Sequence, residues 1–219
     1  MNFKGLIKFL TALNSNNSKD WFDLNRKEYE ELRKEWIEFV GTLIQAVQGF
    51  DSSILMLDPK KCIFRINKDI RFSKDKSPYK TNFGAIITPG GKKEMFSGYY
   101  LHVDPKEIFI AGGAYQPMPE LLAAIRQEID YNFDEFFEIV SNKKAKALFG
   151  ELQGDKLSRP PKGYEADNPA VAYLKHKGFI WVQNFKTNEL YDAAFLEKIT
   201  KSFEAMKPLN NFLNRCVVK

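Results

Sequence analysis

Three short apolar runs, near residues 83–88, 97–103 and 107–111, follow one another with only turn-forming links between them. Those links carry Pro89-Gly90-Gly91 and Asp104-Pro105, residues that preset or permit tight turns. Links this short suit an antiparallel meander rather than a parallel sheet, whose crossovers need a longer chain. A fourth stretch precedes them. Cys62, Phe64, Ile66, Ile70 and Phe72 alternate with Arg65, Asn67, Asp69 and Arg71, which predicts a half-buried strand. Lys68 breaks its apolar side and predicts a bulge or turn near Asn67-Lys68-Asp69.

The period changes on both sides of this block. Phe3, Leu6, Ile7, Leu10 and Leu13 predict a helix over 3–13, followed by the polar break Asn14 to Ser18. Tyr29, Leu32, Trp36, Phe39, Val40, Leu43, Ile44 and Val47 then mark one long helix over 20–48, stopped at Gly49. After Pro117, helices are predicted at 119–130, 133–141 and 143–149, with Pro119 at a first helical position. Residues 154–163 read as a loop, Asn168-Pro169 as a cap opening a short helix, and 178–185 as an apolar strand. Helical pattern returns at 188–206 and 208–215, interrupted by Pro208. Helices, contiguous strands, then helices predict an α+β fold. An antiparallel β-meander at about residues 60–112 is packed by N- and C-terminal helices, and residues 1–219 form a single domain.

Composition excludes several classes. With 44% hydrophobic and 28% charged residues, the chain is neither disordered nor fibrous. Cys62 and Cys216 are far apart and flanked by apolar residues, as expected of thiols in a reducing cytoplasm. Two Cys and two His (His102, His176), neither pair closely spaced, predict no metal site, and no cofactor is expected. Lys8 interrupts what would be the core of a signal peptide, and no run is long and apolar enough to span a bilayer. A membrane partner is therefore not expected.

Charge is unevenly placed. Residues 59–93 hold ten basic side chains against Asp69 and Asp75, a net +8, so the remainder is −3 while the whole chain is +5. The same stretch carries the longest motif, Phe64-Arg65-Ile66-Asn67-Lys68-Asp69-Ile70-Arg71-Phe72-Ser73-Lys74-Asp75-Lys76-Ser77-Pro78-Tyr79-Lys80-Thr81-Asn82-Phe83-Gly84. Further motifs lie before and after it along the chain. They are Trp21-Phe22, Gly98-Tyr99-Tyr100-Leu101-His102-Val103, Gly112-Gly113-Ala114-Tyr115-Gln116-Pro117, Arg159-Pro160-Pro161-Lys162-Gly163-Tyr164, and Pro208-Leu209 to Phe212-Leu213.

Together these motifs resemble the bacterial and fungal family called domain of unknown function 2461 over almost the whole chain. The resemblance implies an α+β domain and supplies no activity. Two positions depart from the family pattern. Asn67-Lys68 stands where similar sequences tend to have Tyr-Arg, and Asn168 follows Asp167 where many have His. The second departure weakens any scheme needing an imidazole there.

On an unbroken strand Arg65, Asn67, Asp69 and Arg71 would share one polar face at intervals of about 6–7 Å. With Lys68 and a loop bearing Lys74, Lys76 and Lys80, two guanidiniums there suit a phosphate or carboxylate. The opposing expectation is a face held by internal ion pairs through Asp69 and Asp75, with lysines protecting a sheet edge. Tyr100 and His102 fall opposite Tyr99, Leu101 and Val103, and imidazole beside a cationic patch could transfer a proton, as could Tyr79. Gly112-Gly113 would admit a close anion or a tight exit from the sheet. Paired prolines present Arg159 and Lys162 in an extended basic loop that could complete a cleft.

Three functions compete. The first is a binding module for an anionic, phosphate-bearing ligand, a small molecule or nucleic acid, with Phe72, Tyr79 and Phe83 as stacking groups. The second is an enzyme on a small anionic substrate, with His102 or Tyr79 moving the proton. The third is a structural or interaction protein without a ligand.

Overall fold

A computed structural model describes residues 1–71, 73–92 and 95–217. The chain opens with α1 (Phe3–Ser15), capped by the Asn2 side chain, and α2 (Lys19–Leu24), capped by Ser18. α3 (Arg26–Gln48) follows directly. The helix predicted over 20–48 is therefore two. Asn25 leaves helical geometry at φ −105°, ψ 12°, and its side-chain amide donates to the Trp21 carbonyl at 2.8 Å. One asparagine thus ends α2 and begins α3.

Next come the single turn α4 (Pro59–Cys62) and the strands β1 (Phe83–Ile87), β2 (Gly98–Val103) and β3 (Ile108–Ala114). The helices α5 (Pro119–Tyr131), α6 (Phe133–Ser141), α7 (Lys143–Phe149) and α8 (Val171–Leu174) precede β4 (Phe179–Phe185). α9 (Thr187–Leu190) and α10 (Phe195–Asn214) close the chain. The strands form a four-stranded antiparallel sheet in the order β1-β2-β3-β4, so the fold is α+β with helices from both ends of the chain packed on the sheet.

The half-buried strand predicted over 62–72 does not form. Residues 63–68 run beside 78–85 with only isolated pairings, Ile63 to Ala85 and Asn67 to Tyr79. The cause lies in burial: Cys62, Ile63 and Ile66 turn inward while Phe64, Arg65 and Asn67 turn out, a spacing that no flat strand can satisfy. Phe72 lies outside the described residues.

Three C-terminal expectations also change. The helix predicted over 188–206 is broken between Leu190 and Phe195, where the Asp192 side chain accepts from the Ala194 amide at 2.9 Å. The short helix starts at Val171 rather than Pro169, because the Asn168 side chain first caps the Ala170 amide at 2.8 Å. Pro208 does not interrupt α10. It sits on the exposed side beside Glu204, whose carbonyl loses its helical donor where water can replace it. Met206, Leu209, Phe212 and Leu213 are buried on the other side and carry the helix through.

Register sorts the sheet into two faces. Ala85, Leu101, Ile110 and Gln183 share one cross-strand row, flanked by Phe83, Ile87, Tyr99, Val103, Ile108, Phe179, Trp181 and Phe185. The helices pack here. Trp36 of α3 meets Phe83, Phe136 of α6 meets Phe179, Phe149 of α7 stacks on Trp181, and Phe195 of α10 meets Phe185. Gly112 lets α10 approach closely, since a Cβ there would stand 2.7 Å from the Met206 sulfur. The opposite, outer face carries Gly84, His102, Phe109 and Asn184 in one row and Ile86, Tyr100, Ala111 and Val182 in the next.

Candidate functional site

The outer face is where the chemistry-bearing side chains gather. His102 and Phe109 are direct cross-strand partners, and their rings stack at 4.6 Å and 13°. Tyr100 lies 5.8 Å from Phe109 and 6.0 Å, edge-on, from Phe64. Phe64 reaches the sheet because its backbone amide donates to the Gly84 carbonyl at 3.2 Å. Gly84 must be small: an added Cβ would lie 2.8 Å from the Tyr100 hydroxyl and 3.3 Å from the Phe64 ring. The result is a strip of four rings, with Tyr100 and His102 on β2, Phe109 on β3 and Phe64, 40% exposed, beside β1.

Tyr100 and His102 are joined by a 3.0 Å hydrogen bond between the phenol oxygen and Nδ1. Burial, opposed by Glu107 and Asp104, holds the imidazole pKa below its ordinary value, and burial pushes the Tyr100 phenol up to about 12. At neutral pH both groups are therefore uncharged, and the Glu107 carboxylate 3.7 Å from Nε2 favours the tautomer protonated there, in which Nδ1 accepts from the Tyr100 hydroxyl. The Asn82 amide, 3.4 Å from the same Nδ1, adds a second donor.

Cations surround the Phe64 end of the strip. The Lys80 ammonium stands 5.4 Å from the Phe64 ring centroid and that of Lys92 5.7 Å. Lys92 Nζ also donates to the Ile63 carbonyl at 2.7 Å, which fixes it there. Lys80 has its pKa lowered by burial first, then by the charges of Arg65 and Lys92. Among the described residues none of these three cations has a carboxylate within ion-pair distance. Two ammoniums thus flank one exposed ring, and the charge of Arg65 reaches both Lys80 and the Asp69 carboxylate.

The remaining sequence candidates are placed differently. Lys68 is bound within its own loop, to Asp75 at 2.6 Å and Ser77 at 2.8 Å, and this pairing holds the Asp75 carboxyl far below its usual range. Lys76 donates to the Ile70 carbonyl at 2.9 Å. Asp69 and Arg71 form a bidentate pair at 2.9 and 2.6 Å, which lowers the Asp69 pKa. Lys74 is exposed at the same loop. Tyr79 is 6% exposed, stacked on Phe22 at 4.0 Å, with its backbone clasped by the Asn17 side chain. It packs the base of the loop, and Phe83 is likewise in the core. Arg159 and Lys162 are exposed on a loop tied to the far side of the sheet, through Gln153 beside Ile180 of β4 and Lys156 beside His176.

Phe64, Lys92, Asn82 and Phe109 are the site members that sequence reasoning missed. For Phe109 a signal existed, since period two puts it opposite Ile108 and Ile110. Among the described residues no three His, Cys, Asp or Glu converge as a metal site, and no helix is long and apolar enough to cross a membrane. Both cysteines are free, and burial pushes each thiol up to about 11. No curated protein and no solved structure matches the chain. A family model described as conserved hypothetical protein, DUF2461, matches residues 5–212, and the chain belongs to that family.

Proposed function

We propose that the protein is a binding module for an anionic, phosphate-bearing ligand, seated where Lys80 and Lys92 flank Phe64, with the charge of Arg65 close enough to act on Lys80. The observation that carries this reading is that Lys80 and Lys92 flank the exposed Phe64 ring with no carboxylate within ion-pair distance among the described residues. Holding like charges together costs free energy that a bound phosphate would return. Arg65 offers a planar fork and the two lysines offer point charges to separate oxygens. The loop cations Lys68 and Arg71 serve the reading indirectly, because their ion pairs order the connection that carries Phe64 and Lys80.

The test is a titration with pyrophosphate at two salt concentrations. Wild type should bind with an affinity that falls as salt rises, and Lys80→Ala with Lys92→Ala should weaken it at least tenfold and flatten the salt dependence. Equal affinity in the double variant would sink the reading.

Proton transfer at His102 is a second reading, favoured by the Tyr100–His102–Glu107 alignment. It requires turnover of an anionic substrate that His102→Gln abolishes without weakening substrate binding. Unchanged turnover in that variant would remove it.

A further inference from the structure

We propose that the ligand is a single-stranded nucleic acid, whose unpaired bases lie on the outer sheet face while its phosphates meet Arg65, Lys80 and Lys92. The inference rests on the phosphate reading above and adds what the rest of the face recognises. Phosphate alone explains the cations but not the rings beside them. Tyr100, His102 and Phe109 each keep a minor part of their surface exposed, 14% for the His102 side chain, and the helices named above pack against the other side of the sheet. Partly exposed rings beside unneutralised cations suit a ligand that alternates flat apolar groups with negative charge.

Geometry selects an unpaired strand over a duplex. Paired bases hide their faces, and a duplex is read by an element that projects into a groove. This face is a sheet, with Ala111 and Gly113 keeping its β3 side low. Rings carried by neighbouring strands are stepped by the interstrand spacing of about 4.8 Å, which accommodates more than one base. Charge also sets the direction. Glu107 and Asp104 stand at the β2–β3 turn beside His102, so phosphates are repelled there and drawn to the Phe64 end.

The experiment is fluorescence anisotropy with a labelled unpaired octanucleotide, an abasic octamer carrying the same phosphates, and a blunt duplex. The unpaired octamer should bind at least tenfold more tightly than either of the others. Phe109→Leu, checked for a cooperative thermal melt, should remove most of that advantage and leave abasic binding unchanged. Lys80→Ala with Lys92→Ala should weaken both oligomers. Equal binding of the base-bearing and abasic octamers would overturn the nucleic-acid inference while the phosphate reading stood. Loss of all binding, pyrophosphate included, would overturn both. A dimer in sedimentation that Phe109→Asp converts to monomer would assign the face to a second copy and overturn the inference.

Discussion

Small local choices decide what this surface can do. The sequence places Ile63 and Phe64 side by side, and the interior takes the isoleucine and leaves the phenylalanine 40% exposed between two ammoniums. Gly84 is the partner of that choice, because only hydrogen fits beneath Phe64 and the Tyr100 hydroxyl. Gly84→Ala should fold, yet move both rings and weaken pyrophosphate binding severalfold, which a titration beside a thermal melt would separate. Away from the site, His176 is 1% exposed, its Nδ1 lacks a partner among the described residues, and it stacks near Tyr173 and Phe179. Burial, then the charge of Lys156, lowers its pKa to about 4. The unfolded chain binds this proton near the ordinary value of about 6.5, so between the two values the unfolded state holds more protons. Stability from this group is complete above about pH 6.5 and is lost as pH falls towards 4, by about 3 kcal/mol. Urea unfolding of wild type at pH 7.5 and pH 4.5 should show that loss, and His176→Phe should shrink it. An equal loss in the variant would place the acid sensitivity elsewhere.

At the scale of elements, the strands and most helices were legible in the sequence, and each failure has a cause in packing. The runs at 83–88, 97–103, 107–111 and 178–185 correspond to strands because apolar alternation, one-sided helix cover and turn residues agree. Tyr100 and His102 fall on the open face for the same reason. The basic stretch failed because its apolar residues alternate by identity while their burial does not, so two isolated pairings replace a ladder. Lys92 was illegible for another reason: it acts through the Ile63 carbonyl, 29 residues away, a contact that no local pattern encodes. Pro208 misled because burial of four neighbouring side chains outweighs one missing helical bond. The helix it lies in presses on Gly112, so Gly112→Val should overpack this contact and cost about 1–3 kcal/mol, seen as a lower urea midpoint with an unchanged slope. Wild-type stability in that variant would mean that α10 can move off the sheet freely.

The whole molecule divides its labour between the two faces of one sheet. Helices from both ends of the chain cover the inner face, so the aromatic core and its burial energy lie there. The outer face is left with rings of partial exposure, and two lysines of the basic stretch, Lys80 and Lys92, stand at one end of them. Ion pairs within the loop neutralise part of the segment's charge at Asp69 and Asp75, while Lys80 and Lys92 stand at the rings and Arg65 acts on Lys80 through its charge. The central claim is that these three form an anion site held ready in the free protein. Nuclear magnetic resonance of isotopically labelled lysine, titrated with and without pyrophosphate, tests it most directly. Lys80 should titrate below an ordinary lysine in the free protein and rise when pyrophosphate is bound. An ordinary Lys80 titration that pyrophosphate leaves unmoved would contradict the claim.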